Sequence, residues 1–181
     1  PSGRARDLAS LASVQFIEDA PEAIKRNDSN RWILQSNVSG QTPIWNQGIH
    51  GEGQIGGLID GTVKESHCMF DDTVAAGPTH RKIVAMHAAG AVDTHGTHTA
   101  GTMLGDAPPY GSYTGNDGMA YAAKLSFTNL DFISSANLQS SLQAAHTDGA
   151  RVHSNSWGND ATTSYTSHCQ AIDAFSYANE D

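Results

Sequence analysis

The sequence predicts an α/β fold in which a parallel sheet is flanked by helices. Short apolar runs of strand length end in polar residues, and the first of them is Gln54 to Ile59, directly before Asp60. Segments with apolar residues at helical spacing, such as the one that begins at Leu138, alternate with these runs. Alternating strands and helices are typical of βαβ units, which build parallel sheets.

Each further element follows from its local pattern. After the strand that ends at Asp60, we expect strands at Ile83 to Met86, Lys124 to Thr128 and Arg151 to Ser154, with a short one at Val14 to Glu18. The predicted helices are His95 to Leu104, a helix from Leu138 that ends at Gly149, and Ser167 to Ala178. The Gly-, Pro- and Asn-rich stretch 105–118 is expected to be a surface loop, and residues 30–53 to wrap irregularly around the core.

Length and composition limit the class of protein. A chain of 181 residues is long enough for one domain with a core. Its formal charge of −9, with only 10 Lys and Arg, leaves no basic face for a nucleic acid partner. No apolar run reaches the length of a membrane span, so we expect no membrane partner. A low charged fraction of 16%, with abundant small polar residues, favours a secreted, extracellular protein of bacterial type.

The two cysteines leave two interpretations open. Cys68 and Cys169 each follow a Ser-His pair and show no Cys-x-x-Cys spacing. A disulfide between them would fit an oxidising compartment. Two free, buried thiols are the preferred interpretation.

The stretch that begins at Asp93 carries the chemistry. It reads Asp-Thr-His-Gly-Thr-His-Thr-Ala-Gly, which predicts a tightly packed helix with His95 at its start. A serine nucleophile needs a base with a pKa near 7, and imidazole meets that need. The base in turn needs a partly buried carboxylate to fix its tautomer, and Asp60 at the end of the first strand is the best-placed candidate.

Two other interpretations of these residues remain. Asp93, His95 and His98 could be metal ligands in a metal-dependent hydrolase, although no partner helix with a Glu-x-x-His motif accompanies them. We prefer to regard His98 as a packed, hydrogen-bonded structural residue inside the helix. Trp157 is expected to be a packed wall residue.

At three places the sequence resembles the subtilisin-like serine proteases, the subtilases or peptidase S8 type. The stretch His95 to Gly101, His-Gly-Thr-His-Thr-Ala-Gly, is similar to their seven-residue signature around the catalytic histidine. Residues 118–125 resemble their Gly-x-Ala-Pro-x-Ala stretch. Residues 150–158 resemble the strand and loop that line the substrate cleft, in the version of large alkaline, oxidation-resistant bacterial subtilases.

The resemblance implies a subtilisin-like fold, a serine endopeptidase that works through an acyl-enzyme, and roles for individual residues. Asp60 would be the triad acid and His95 the base. The substrate-binding wall would consist of Ser154, Ser156, Trp157 and Gly158. The implied partners are a protein or peptide substrate and the protein's own propeptide as an intramolecular inhibitor. No cofactor is required for the chemistry. By family analogy the protein would also bind a structural calcium ion, and the side-chain oxygens of Asn116 and Asp117 would be candidate ligands. A plain turn is the preferred interpretation of these two residues.

The sequence departs from the family pattern in several places. The family has Asp-Thr-Gly or Asp-Ser-Gly where this chain has Asp60-Gly61-Thr62, and Thr94 replaces a glycine before the histidine. Tyr121 stands where proline is usual. The nucleophilic serine and the oxyanion asparagine of the family would both lie beyond residue 181, and Asn155 belongs to the earlier cleft strand.

These observations predict a division of the chain and a function. We expect residues 1–26 to be the tail of a propeptide or a linker, and residues 27–181 to be the N-terminal part of a subtilase catalytic domain, incomplete at the C-terminus. The full-length protein would be a subtilisin-like serine endopeptidase, whereas this piece alone would be inactive. The alternative is a non-catalytic binding or scaffold module with the subtilase fold, motivated by the altered Asp60-Gly61-Thr62.

Overall fold

A computed structural model of the protein describes residues 7, 10–14, 29–158, 161 and 163–180. Within these residues one sheet is formed by four parallel strands in the order β2-β3-β1-β4. The strands are β1 (Ile55–Asp60), β2 (Ile83–Ala88), β3 (Lys124–Asn129) and β4 (Val152–Ser154). The predicted α/β class with a parallel sheet is confirmed, and each of these strands lies where the sequence placed it to within two residues at either end.

The helices flank this sheet and precede it. They are α1 (Asn30–Gln35), α2 (Pro43–Asn46), α3 (Thr94–Leu104), α4 (Leu138–Thr147) and α5 (Ser167–Ala178), with a 3-10 turn at Leu130–Phe132. The segment expected to be irregular therefore contains the two short helices α1 and α2. The predicted strand at Val14 to Glu18 lies almost wholly outside the described residues, and the predicted division after residue 26 stays a prediction.

Strand β1 is buried on both faces and separates two cores. Its side chains alternate, because successive residues of a strand point to opposite faces. Leu58 packs on the α3 side with a cluster that includes Leu104 and Phe127. Ile59 packs on the α4 and α5 side with Leu138. A parallel strand covered on both faces is expected to be continuously apolar, as the run up to Asp60 is.

The strand register brings the carboxyl ends of the strands together. Asp60, the last residue of β1, pairs with Asn129, the last residue of β3. Leu58 of β1 pairs with Ser154, the last residue of β4. The edge of the sheet at which ligands are expected therefore carries Asp60 and the beginning of the predicted cleft wall.

Helix α4 ends as predicted. Asp148 is its C-cap, and Gly149 follows with a φ of +106°, a left-handed conformation that glycine adopts at low cost. The Asp148 carboxylate then joins three elements, because Oδ2 lies 2.6 Å from Nε2 of His87 in β2 and accepts a 2.7 Å hydrogen bond from Ser126 in β3. This polar link fixes the end of α4 against the sheet.

Both cysteines are free thiols, and the disulfide does not form. The expectation of buried thiols is wrong for Cys68, which is exposed, and Cys169 is half-buried. In the described part of the chain no helix is both long and apolar enough to cross a membrane.

Candidate active site

Asp60 is delivered to the sheet edge as a buried carboxylate. Its residue exposure is 3%, and a buried charge requires hydrogen-bond partners. Oδ1 accepts a 2.7 Å hydrogen bond from the backbone N–H of Gly61 and lies 2.7 Å from Nδ1 of His95. Oδ2 accepts a hydrogen bond of 3.1 Å from the Thr99 hydroxyl. The predicted pairing of Asp60 with His95 is thus present in the structure.

The start of α3 is fixed by Asp93. This residue is the N-cap in an extended conformation, and its Oδ1 accepts hydrogen bonds of 2.7 Å from the His95 N–H and 3.1 Å from the Gly96 N–H. The Thr97 hydroxyl donates to the Asp93 carbonyl at 2.8 Å. His95 is therefore the second residue of a capped helix, which holds its backbone rigid.

The ring of His95 is anchored on one side and open on the other. Nδ1 faces Asp60, whereas the side chain as a whole remains 57% exposed. The hydrogen bond to Asp60 and the negative charge of that carboxylate raise the pKa of His95. When the carboxylate accepts from Nδ1–H, the neutral ring carries its lone pair on Nε2. The arrangement therefore offers a proton acceptor directed at solvent and stabilises its protonated form.

Close backbone contact explains the glycines of this site. A Cβ on Gly96 would lie 1.7 Å from the Gly61 carbonyl oxygen, so α3 can approach the end of β1 only with glycine there. A Cβ on Gly61 would lie 2.5 Å from the Cβ of Asp93. The glycine that follows Asp60 in this chain thus makes room for the helix cap.

The metal interpretation receives little support. Carboxylate and imidazole atoms of Asp60, Asp93 and His95 lie within 4.8 Å of one another, and His98, a predicted ligand, is not in this group. Asp93 Oδ1 is already engaged by the helix N–H groups, and Nδ1 of His95 by Asp60. The structure therefore does not bring His98 together with Asp93 and His95.

His98 is not the packed residue that we expected. It is exposed, and in the described ranges its side chain makes no hydrogen bond. It lines open clefts on both sides of α3. The physical reason is helix geometry, because His98 lies about 200° around α3 from the buried Gly96 and Ala100.

The four residues of the predicted cleft wall form a strand end and the loop after it. Ser154 and Trp157 are half-buried, whereas Ser156 and Gly158 are exposed. Trp157 donates a 3.0 Å hydrogen bond from Nε1 to the Ile59 carbonyl and packs on the core below α4 and α5, as expected for a packed wall residue. Ser154 and Ser156 line, with Thr99 of α3, an open cleft of about 550 Å³.

The Asp117 carboxylate is occupied by its own loop. Oδ1 accepts a hydrogen bond of 2.7 Å from the Ala107 N–H, and the other oxygen accepts from the Thr114 N–H. The Thr114 hydroxyl also donates to Oδ1 at 3.1 Å. These contacts support the plain-turn interpretation of residues 116 and 117.

Sequence reasoning missed two members of the site. It offers Asp93 only as a metal ligand, although an Asp immediately before a helix is a typical N-cap. It does not single out Thr99, although this residue lies four positions after His95 and thus on the same side of the helix. Both signals are present in the sequence.

Comparison with known proteins agrees with the geometry. The tagA protein of Dictyostelium discoideum, a serine protease/ABC transporter B family protein, is 31% identical over 192 aligned residues, which cover 96% of this chain and 11% of tagA. The related tagD protein of the same organism is 32% identical over 157 residues, 74% of this chain and 8% of tagD. The chain thus spans about a tenth of the length of the curated relatives it matches.

Among solved structures, the prenylagaramide maturation protease PagA superposes with a TM-score of 0.55 and 20% identity, over 78% of this chain and 48% of PagA. At that identity the likeness shows the fold alone. The model of the subtilase family, peptidase S8, matches residues 51–181, a range that includes Asp60, His95 and the cleft wall. The match covers well over half of the chain, and the chain therefore belongs to the subtilase family.

Proposed function

We propose that the full-length protein is a serine endopeptidase in which Asp60 and His95 are the acid and base of an Asp-His-Ser triad. One observation carries the proposal: a buried carboxylate lies 2.7 Å from Nδ1 of an imidazole whose other side faces solvent. The raised pKa of His95 supports a role in accepting a proton near neutral pH.

In the proposed reaction, Nε2 of His95 removes the proton of a serine hydroxyl as the serine oxygen attacks the scissile carbonyl. The imidazolium then donates that proton to the leaving amine, and water hydrolyses the acyl-enzyme by the same route. Asp60 keeps the ring in one tautomer and stabilises its positive charge. The serine and the oxyanion asparagine would come from sequence that follows residue 181, so residues 1–181 alone should be inactive.

The proposed substrate is an extended polypeptide that lies along the cleft wall of Ser154, Ser156, Trp157 and Gly158. The Trp157 side chain is anchored in the core, which supports a rigid wall. The same proposal has four further parts. These are secretion, an inhibitory propeptide that includes residues 1–26, structural calcium, and a special likeness to alkaline, oxidation-resistant bacterial subtilases.

The test uses the full-length protein and a fluorophosphonate, which labels an activated serine. Wild-type protein should be labelled and should cleave casein. His95→Ala should abolish labelling, whereas His98→Asn should retain it as the matched histidine control. A folded full-length protein that is neither labelled nor active would refute the proposal and favour the non-catalytic scaffold.

A further inference from the structure

The carboxylate of Asp60 has two oxygens with different surroundings. Oδ1 has two partners, the Gly61 N–H and the His95 ring. Oδ2 has one partner among the described residues, the hydroxyl of Thr99 at 3.1 Å. Because Asp60 is buried, an oxygen without a donor would leave negative charge uncompensated. The Thr99 hydroxyl therefore determines whether both oxygens of the Asp60 carboxylate have a hydrogen-bond donor.

The Thr99 hydroxyl has three acceptors within reach and one hydrogen to donate. Besides Oδ2 of Asp60, it lies 3.0 Å from the His95 carbonyl and 3.1 Å from the Gly96 carbonyl, one turn earlier in α3. Hydrogen bonds to a charged acceptor are about twice as strong as neutral ones. The hydrogen is thus directed at the carboxylate as long as Asp60 is ionised.

Within the described ranges, no other hydroxyl takes this role. The subtilase pattern has Ser or Thr directly after the acid, whereas this chain has Gly61, whose missing Cβ makes room for Asp93. The hydroxyl of the next residue, Thr62, accepts a 2.8 Å hydrogen bond from the Gly90 N–H and thereby holds a different loop. The side-chain donor to the carboxylate comes instead from the helix side, where Thr99 lies.

We propose that Thr99 is the positioning residue of the site: its hydroxyl fixes the Asp60 carboxylate in the orientation that faces Nδ1 of His95. This inference rests on the proposed function only in its expected effect on kcat. Acid and base are thereby held by the same helix, because α3 presents His95 in its first turn and Thr99 one turn later.

The experiment compares Thr99→Val, which keeps the shape and removes the hydroxyl, with Thr99→Ser, which keeps the hydroxyl, in the full-length protein. Thr147→Val is the matched control, because Thr147 donates to the Gln143 carbonyl at 2.8 Å in the same helical manner, far from Asp60 in the chain. Thr99→Val should lower kcat for a fluorogenic peptide on the order of tenfold with KM unchanged, the size expected for one hydrogen bond to a charged group. Thr99→Ser should restore most of kcat, and Thr147→Val should match wild type.

A second readout does not depend on proteolysis. Exchange of the His95 Nδ1–H proton with water, measured by NMR, should accelerate in Thr99→Val and return towards the wild-type rate in Thr99→Ser. A wild-type protein without activity would refute the proposed function, and the exchange rates would still decide the role of Thr99. Wild-type values of both kcat and exchange in folded Thr99→Val would overturn this inference and leave the proposed function intact. Should Thr99→Val fail to fold, Thr99→Ala takes its place in both measurements.

Discussion

We expect His153 to make the stability of this protein sensitive to acid. Its ring lies against the backbone of Gly57 in β1, so closely that a Cβ on Gly57 would be 2.2 Å from the ring Cδ2. Burial lowers the pKa of His153 from 6.5 to about 4, and the ring Nδ1 is a buried atom without a hydrogen-bond partner in the described structure. The folded protein therefore holds this imidazole neutral throughout the neutral range.

The sign and size of the effect follow from proton binding. Between pH 6.5 and about pH 4 the unfolded chain binds a proton at His153 that the folded protein does not. The free energy of unfolding contributed by this residue must then fall as the pH falls through that window, and it is lost fully below the folded pKa. The loss is at most about 3 kcal/mol and about 2 kcal/mol at pH 5.

Urea denaturation at pH 7 and pH 5 measures this loss. His153→Phe keeps a flat ring that cannot be protonated, so the pH-dependent drop in unfolding free energy should be smaller in the variant by about 2 kcal/mol. His98→Gln serves as the substitution control, because it replaces an exposed histidine whose side chain makes no hydrogen bond in the described ranges. Equal drops in wild type and His153→Phe would refute the reasoning, whatever the absolute stabilities.

Three further substitutions test how the site is held. Asp60→Asn removes the hydrogen-bonded charge that raises the pKa of His95, so an NMR titration should show that pKa falling towards its ordinary value. Gly96→Ala places a methyl group 1.7 Å from the Gly61 carbonyl oxygen, and urea denaturation should show a loss of about 1–3 kcal/mol or more. Asp93→Ala removes the cap of α3 and should lower the unfolding free energy by about 1 kcal/mol in the same assay.

Each of these has a control and an opposing outcome. An unchanged His95 titration in Asp60→Asn would show that the carboxylate does not interact with the ring in solution. Gly115→Ala should be neutral, because nothing lies within 4 Å of the position that its methyl group would take; equal losses in both alanine variants would contradict the close contact at Gly96. Asp93→Asn should retain most of the cap, since Asn is as good an N-cap as Asp. A loss as large as in Asp93→Ala would mean that charge, not the cap, is what matters.

Local patterns predicted the elements well. Helix α5 runs from Ser167 to Ala178, as its apolar spacing predicted, because each helix end depends on nearby residues. Asp60 was placed correctly at the end of a buried strand. The order of strands in the sheet was not predictable, because β3 lies between β1 and β2 through contacts distant in sequence.

The parts of the site that follow a recognisable sequence motif were predictable, whereas the contacts between backbone segments distant in sequence were not. Asp60 and His95 carry a recognisable motif, and they meet at 2.7 Å. His98 shares that motif, yet its exposure depends on which side of α3 faces the sheet. The reason for Gly61 was hidden altogether, since it lies in the contact with Asp93, 32 positions later in the chain and visible only in three dimensions.

The altered order Asp60-Gly61-Thr62 suggests a site that has lost its catalytic function. The contacts of Gly61 and Thr62 argue against that view. The Asp93 side chain packs against Gly61. Thr62 is 4% exposed, and its hydroxyl accepts a 2.8 Å hydrogen bond from the Gly90 N–H. Restoring the family order by Gly61→Thr with Thr62→Gly should therefore harm the protein.

The double variant adds a side chain where a Cβ already comes within 2.5 Å of Asp93, and it deletes the hydrogen bond that the Thr62 hydroxyl accepts from the exposed loop at Gly90. Overpacking and the lost bond together should lower the unfolding free energy by about 2–4 kcal/mol in urea denaturation. Thr62→Gly alone isolates the second contribution. If the double variant is as stable as wild type or more stable, the order Gly61-Thr62 serves no structural purpose. That outcome would favour the view that the site has decayed.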